Sequence, residues 1–372
     1  MSPFFKMDIL IEFEKRPLLF KNPVHIIRCF NPAALKSAFA EIECFLKKGF
    51  YAAGFFSYEA GYAFEERLLA KTPESYQFPV LLMGCYQAPL RSISPNKLSG
   101  NDFTISDIRH NISLAEYAED IRRIREYISL GKVYQITYCL KLRFDFKGEA
   151  FSLYRRLLTE QPVPYPAYIE DDNFKIISLS PELFIKKTKS FLITKPMKGT
   201  WPRGNNIFSD LFSSLRLKYD KKNRAENIMI ADLLRNDLNR IAKNIKAPKL
   251  FEVARYKTLC QMTSTVTGMV NPDIPLYDLF KGIFPSGSVT GAPKISAMQI
   301  IRGLENEERR IYTGAIGYIT PDKDLFFNVP IRTLLLQGAR AEMGIGGGIV
   351  WDSTSQGEWA EGVLKAKFLT DL

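Results

Sequence analysis

Near the C-terminus, Glu358, Glu361 and Lys365 are separated by three and four residues, which puts them on one face of any helix that spans them. Two carboxylates beside an ammonium suit a hard divalent cation next to an anionic ligand, because magnesium takes oxygen ligands and leaves part of its shell to water and substrate. By spacing alone they suit a solvated charge ladder better. Glu226, Asp232 and Asp237 offer further carboxylates on an earlier helical stretch, again with a solvated face as the plain alternative. Periodicity does not bring Glu226 to Glu358. Lys198 lies in a basic turn, Thr194-Lys195-Pro196-Met197-Lys198-Gly199-Thr200. Stripped of its proton it would be a nucleophile; taken alone it reads as a surface lysine. The glycine run Gly344 to Gly348 lets backbone N–H groups approach an anion, or simply turns the chain between strands. Pro285 to Gly291 leads toward a helix start, where free N–H groups attract anions or are merely capped. No phosphate-binding glycine motif stands between a strand and a helix. With only His25 and His110, neither a histidine-rich metal site nor a Ser-His-Asp triad is expected.

The elements that must hold these residues are legible in part. Ala52 to Tyr58 reads as a strand. Ser113 and Glu116 make a capping box, Tyr117, Ile121, Ile124 and Ile128 recur at helical spacing, and Gly131 can stop that helix. Strict alternation from Gln135 to Phe146 predicts a long strand with one buried face, Ile136, Tyr138, Leu140, Leu142, Phe144 and Phe146 inward. Residues 174–195 read as two strands around Ser180 to Phe184. Asn223 to Ala242 reads as a helix with Ile230, Leu233, Leu234, Leu238 and Ile241 inward. Thr290 to Lys294 reads as a helix start with proline in its first turn. Strands are expected over Ile311 to Thr320 and Phe326 to Leu336, and a last helix over Ser355 to Leu369. Runs of long strands, rather than strict strand–helix alternation, favour an α+β fold with large antiparallel sheets.

A chain of 372 residues implies two domains or one large two-lobed domain, and 46% apolar residues can bury a sizeable core. A polar stretch from Gln87 to Thr104 reads as a long connection. The net charge of +11 fits a lysine-rich soluble surface or a basic cleft that draws in a small polyanion. A nucleic-acid site needs clustered cations with aromatics, whereas these are scattered, the densest runs being Lys186 to Lys189 and Lys218 to Arg224. Five dispersed cysteines with no C-x-x-C read as reduced thiols, and with no signal-peptide layout and no apolar run near ~18 residues a cytoplasmic protein is expected.

In chain order, Ser180-Pro181-Glu182, Pro196 to Thr200, Arg224-Ala225-Glu226-Asn227, Asp232 to Leu238, Ser288 to Lys294, Gly317-Tyr318-Ile319, Ile331-Arg332-Thr333, Gly346 to Gly348, and Glu358-x-x-Glu361 with Lys365 resemble the motifs of the chorismate-utilising enzymes. That group comprises component I of anthranilate synthase, component I of aminodeoxychorismate synthase, and the isochorismate and salicylate synthases. The similarity spans about 105–372 and is weaker before, where Gly54 to Gly61 resembles the aminodeoxychorismate branch. It implies an anthranilate synthase component I-like fold, a large two-lobed α/β/β/α sandwich with mostly antiparallel sheets. Residues 1–95 would be an N-terminal portion and 105–372 the chorismate-binding region of one intertwined fold.

The resemblance also implies roles. Glu226, Glu358 and Glu361 would hold Mg2+ on the ring carboxylate of chorismate. Arg332, Lys365, Tyr318 and the amides of Gly346, Gly347 and Gly348 would bind carboxylates. Gly199, Thr200 and Ser288 would line the substrate, and Glu182 would be the general acid. Members that add water carry a lysine base where this chain has Gln135, which matches the members that add ammonia. Alanine is typical of anthranilate synthases at position 198; a lysine in P-[IM]-K-G-T marks the aminodeoxychorismate branch and implies a covalent Lys198 adduct on the way to 4-amino-4-deoxychorismate, in the folate and 4-aminobenzoate pathway. Pro196 and Met197 would help desolvate Lys198, and Lys195 or Arg203 would disfavour its charged form. No cysteine stands in G-x-C-x-G, so ammonia is implied to come from a glutamine amidotransferase partner subunit. Neither nucleic acid nor membrane is expected as a partner. Gln261 stands where relatives commonly have histidine, and Asn223 where an acidic residue is usual. The tryptophan-binding signature of anthranilate synthases is not evident, so no tryptophan inhibition is expected. The rival readings are an anthranilate synthase large subunit and, from another class, a basic nucleic-acid-binding protein.

Overall fold

Several strands bury both faces, and that decides the layering. In Tyr51–Phe56, Ala53 and Phe55 face one apolar cluster while Ala52 and Phe56 face another. In Lys175–Ser180, Ile176 faces the first of these and Ile177 and Leu179 a third. The shared cluster lies between two sheets, and each sheet carries helices on its outer face. The result is a helix–sheet–sheet–helix sandwich in a computed structural model that describes residues 6–91, 103–204, 206–255 and 259–372. One sheet has nine strands and the other ten, and the named strand pairs are antiparallel. Strands from early and late in the chain share each sheet: Met7–Ile11 pairs with Tyr165–Asp171, and Tyr51–Phe56 with Ala315–Ile319. The connection expected over residues 87–104 falls largely outside the described residues.

The helix Leu114–Ser129 carries the expected capping box, and Gly131 follows at φ +67°. The helix Lys221–Asn239 buries Ile230, Leu234 and Leu238, whereas Leu233 is half-buried and Ile241 lies beyond the helix end. The last helix runs Ser355–Thr370 behind a Thr354 cap.

Four expectations change. The strand Gln135–Gly148 buries both faces over its first eight residues, because Gln135, Thr137, Cys139 and Lys141 also turn into protein. Residues 174–195 form three strands, Lys175–Ser180, Leu183–Thr188 and Phe191–Lys195. The stretch read as one strand over 326–336 is two, Leu325–Asn328 in the ten-stranded sheet and Thr333–Gln337 in the nine-stranded one. The chain crosses between sheets there, with Arg332 at φ 51°. The helix after Pro293 starts at Lys294, and Gly291–Ala292 instead pairs with Ile136 and Gln135, so residues 285–291 do not enter that helix directly.

Candidate active site

Two sheet-to-sheet crossings lie side by side and carry the centre of the site. Pro181 and Glu182 join Lys175–Ser180 in one sheet to Leu183–Thr188 in the other, and residues 329–332 make the second crossing. Val329 N–H donates to the Glu182 carbonyl at 3.1 Å, Ser180 Oγ donates to the Val329 carbonyl at 2.5 Å, and Leu179 N–H donates to the Arg332 carbonyl at 3.0 Å. These bonds hold Glu182 and Arg332, both buried, on one floor. Glu182 Oε1 accepts from Ser288 Oγ at 2.5 Å. Burial raises the Glu182 carboxyl to about 7, against the opposing pulls of Ser288, Lys198 and a Met197 backbone hydrogen bond.

The glycine run is not a turn. It lies inside the strand Arg340–Ile349, with Gly346, Gly347 and Gly348 opposite Cys139, Tyr138 and Thr137. Its missing side chains leave room for functional ones. A β-carbon on Gly348 would lie 2.3 Å from Gln135 Nε2 and 3.0 Å from Lys198 Nζ; one on Gly347 would lie 3.0 Å from Glu358 Oε2 and 3.7 Å from Lys365 Nζ. Gln135 and Lys198 thus meet over one glycine, and Glu358 and Lys365 over the next. Lys365 Nζ donates to the Gly346 carbonyl at 2.9 Å and pairs with Glu361 at 2.7 Å. Gln135 Oε1 is buried and has no hydrogen-bond partner among the described residues.

Lys198 stands on Met197–Pro202, which continues Phe191–Lys195 past Pro196 in the same register against Leu259–Val270, so the stretch read as a basic turn is strand. Desolvation lowers its pKa; Glu226, Glu182 and Glu361 pull it back up, and Lys365 pushes it down. The expected cationic neighbours were Lys195 and Arg203, but the cation that acts on it is Lys365, while Arg203 is engaged with Asp210. Gly199 has φ +93°, and a β-carbon there would meet Asn223 Oδ1 at 2.9 Å, so glycine is needed on both counts. The side chain of Thr200 is outside the described residues.

Glu226 comes from Lys221–Asn239 and Glu358 and Glu361 from Ser355–Thr370, so helices from opposite faces of the sandwich supply the acids. Burial raises the pKa of Glu226 and of Glu358, and the charge on Glu361 adds to both. Lys365 lowers that of Glu361. Three carboxylates offer only oxygen donors, a donor set whose chemistry suits a hard divalent cation. As they stand, Glu361 is paired with Lys365, Glu358 accepts from Ser353 at 2.6 Å, and no group of three acids, histidines or cysteines among the described residues is arranged to hold a metal.

Tyr318 is not brought to this cluster. Its ring faces Phe20 and Phe326 in the apolar layer, with Glu14, Tyr51 and Arg16 as its ionisable neighbours. Tyr318 lies on a strand that alternates faces, and its parity sends it away from Lys198. Ser288 meets Glu182 rather than standing free for substrate. Sequence reasoning missed Lys222, which acts on Glu226, Glu358 and Glu361, and Ser353. Lys222 is four residues before Glu226 on one helix, a spacing that was readable; Ser353 carried no signal.

A two-sheet sandwich with carboxylates and lysines gathered over a glycine floor matches known proteins in fold and in sequence. Residues 91–371 match the chorismate binding enzyme family, and the chain belongs to it. A probable aminodeoxychorismate synthase, chloroplastic, from Oryza sativa subsp. japonica is 38% identical over 294 residues, 75% of this chain and 33% of that protein; the chain thus spans about a third of that relative's length. Aminodeoxychorismate synthase component 1 of Escherichia coli (strain K12) is 30% identical over an alignment of 387 positions, covering 97% of this chain and 84% of that protein. The solved anthranilate synthase component I from Streptococcus pneumoniae TIGR4 superposes with a TM-score of 0.82 at 25% identity, covering 99% of this chain and 92% of that one. No helix among the described residues is long and apolar enough to cross a membrane.

Proposed function

We propose that this chain aminates chorismate to 4-amino-4-deoxychorismate, with Lys198 as a temporary nucleophile. The observation that carries the reading is the Lys198 amine, desolvated and lowered in pKa, beside Gln135 and within the field of Glu226, Glu182 and Glu361. A chain with alanine at position 198, as in the anthranilate branch, would have no amine there.

In this reading Arg332 and Lys365 bind the carboxylates of the substrate, and the Gly346 to Gly348 strand presents its backbone to them. Glu226, Glu358 and Glu361 would hold magnesium, which when bound neutralises the ring carboxylate and polarises the ring. Glu182, raised to about 7, keeps a proton near neutrality and gives it to the ring hydroxyl. The unprotonated Lys198 amine forms a C–N bond to the ring as that hydroxyl departs as water, which leaves a cationic secondary amine. Ammonia then forms its own C–N bond and Lys198 departs as a neutral amine, the positive charge passing to the product ammonium. Gln135 Oε1, buried and unpartnered, is an acceptor suited to the incoming ammonia. The ammonia would come from a glutamine-hydrolysing partner subunit, with free ammonium as a substitute.

The test is intact-protein mass after exposure to chorismate and magnesium without ammonia. An adduct mapped to Lys198 supports the reading. Anthranilate as product, with Lys198→Ala as active as the parent, would replace it with the anthranilate synthase alternative.

A further inference from the structure

Glu182 is one end of a buried hydroxyl chain. Ser288 Oγ donates to Glu182 Oε1 at 2.5 Å, and Ser286 Oγ lies 2.8 Å from Ser288 Oγ. Glu182 and Ser288 are 2% exposed and Ser286 1%. An ionised carboxylate has no proton to donate, so Ser288 must donate to it. That spends the one hydroxyl proton of Ser288, and the contact with Ser286 must then be one in which Ser288 accepts. With Glu182 ionised the chain therefore runs one way, from Ser286 to Ser288 to the carboxylate. With Glu182 protonated the order can reverse. The ionised form gains more, because a hydrogen bond to a charge is stronger than one between neutral groups and each donor polarises the next.

The backbone that carries both hydroxyls is tied on every side. Lys294 Nζ reaches back to the Ile283 carbonyl at 3.0 Å and pairs with Asp237 at 2.6 Å, which closes the loop between them. A β-carbon on Gly287 would lie 2.6 Å from Leu233 Cδ2, so helix Lys221–Asn239 presses directly on the turn between the two serines. Arg309 Nη1 donates to the Val289 carbonyl at 2.9 Å, Thr137 N–H to the Thr290 carbonyl at 2.7 Å, and Thr290 Oγ1 to the Ser286 carbonyl at 3.1 Å. The alignment of the two hydroxyls is therefore built in by four separate elements. The charged group that faces Glu182 from the other side is Lys198, on Met197–Pro202.

We propose that Ser286, two peptide bonds from Ser288 and out of contact with Glu182, is a positioning residue for the acid: it holds the Ser288 hydroxyl in its donating orientation and so makes Glu182 a readier proton donor. The role of this acid rests on the reading given under Proposed function.

The experiment titrates the Glu182 carboxyl in the resting protein by difference infrared spectroscopy, with Glu182→Gln as the blank, and measures the pH profile of kcat/KM in parallel. Ser288→Ala should raise the carboxyl midpoint by about one pH unit, the worth of one hydrogen bond to a charge. Ser286→Ala should raise it by less, and Ser286→Thr, which keeps the hydroxyl, should stay near the parent. A loss of packing alone would lower thermal stability without moving the midpoint. An unmoved midpoint in Ser286→Ala, or a Ser286→Thr value equal to that of the alanine variant, overturns the inference. If the midpoint moves while neither limb of kcat/KM does, Ser286 still governs Glu182, and it is the assignment of Glu182 as the acid that fails.

Discussion

A β-carbon on Gly348 would stand 3.0 Å from the Lys198 amine, so the backbone of one strand and the amine of another share a space that admits no side chain between them. Gly348→Ala should fold, since the atoms it meets are the flexible ends of Gln135 and Lys198. It should displace the amine by a fraction of an ångström and lower the rate of adduct formation about 100-fold. Rapid-quench mass spectrometry reads this directly; a rate within twofold of the parent would mean that the amine reacts from elsewhere.

The pH dependence follows from two opposite shifts. Lys198 is lowered by desolvation, so its neutral form is populated below the range of an ordinary lysine. Glu182 is raised to about 7, so its proton is lost as pH passes that value. Adduct formation should rise and then fall with pH, its two limbs set by these two groups. Because the two groups act on each other, both limbs belong to the pair. A pH profile that Glu182→Gln leaves unchanged would remove Glu182 from the acid's role.

Glu182 also links stability to pH. Its folded value exceeds its ordinary 4.5, so the stability it contributes is present below about 4.5 and is lost as pH rises through about 7. Glu182→Gln carries no charge and escapes that loss. It should unfold at a higher temperature than the parent at pH 8, by an amount on the order of 2 kcal/mol, with the gap closing toward pH 5. Calorimetry at the two pH values decides it, and a constant gap counts against the raised carboxyl.

Substituting the acids should separate cation binding from folding. Glu226→Gln and Glu358→Gln each remove a half-buried, repelled carboxylate, and should weaken activation by magnesium at least tenfold while leaving thermal stability unchanged or higher. Glu361→Gln also frees Lys365 from its 2.7 Å partner and should raise the KM for chorismate as well. Magnesium titrations of initial rate are the measurement, and activation curves that superpose on the parent's would release these residues from the role.

Arg309 is structural by the same reasoning. It is 3% exposed, pairs with Glu305 through two contacts of 2.6 and 2.8 Å, donates to the carbonyls of Thr137 and Val289, and lies over the Tyr58 ring. Arg309→Met leaves Glu305 buried without its partner and should cost about 3 kcal/mol or more. Denaturant unfolding checks this, and a loss under 1 kcal/mol would mean that the pair is dispensable.

Local chemistry was legible where one short segment fixes it. The Ser113–Glu116 capping box and the three- and four-residue spacing of Glu358, Glu361 and Lys365 on one helix appear as read, because each depends on neighbours within a few residues. The motif order along the chain was enough to indicate the family, since many short segments in sequence are hard to match by accident. What spacing could not convey is depth and direction. The Gly344 to Gly348 run lies in a strand rather than a turn, because its partner Gln135–Gly148 is two hundred residues away in the chain. Tyr318 faces Phe20 and not the lysine, because strand parity is set by the sheet it joins. The segments that carry Glu182 and Arg332 are joined only because the chain passes between the two sheets twice at neighbouring places. The surroundings that lower the pKa of Lys198 and raise that of Glu182 are made by elements distant in the chain, through burial that no local pattern of residues encodes.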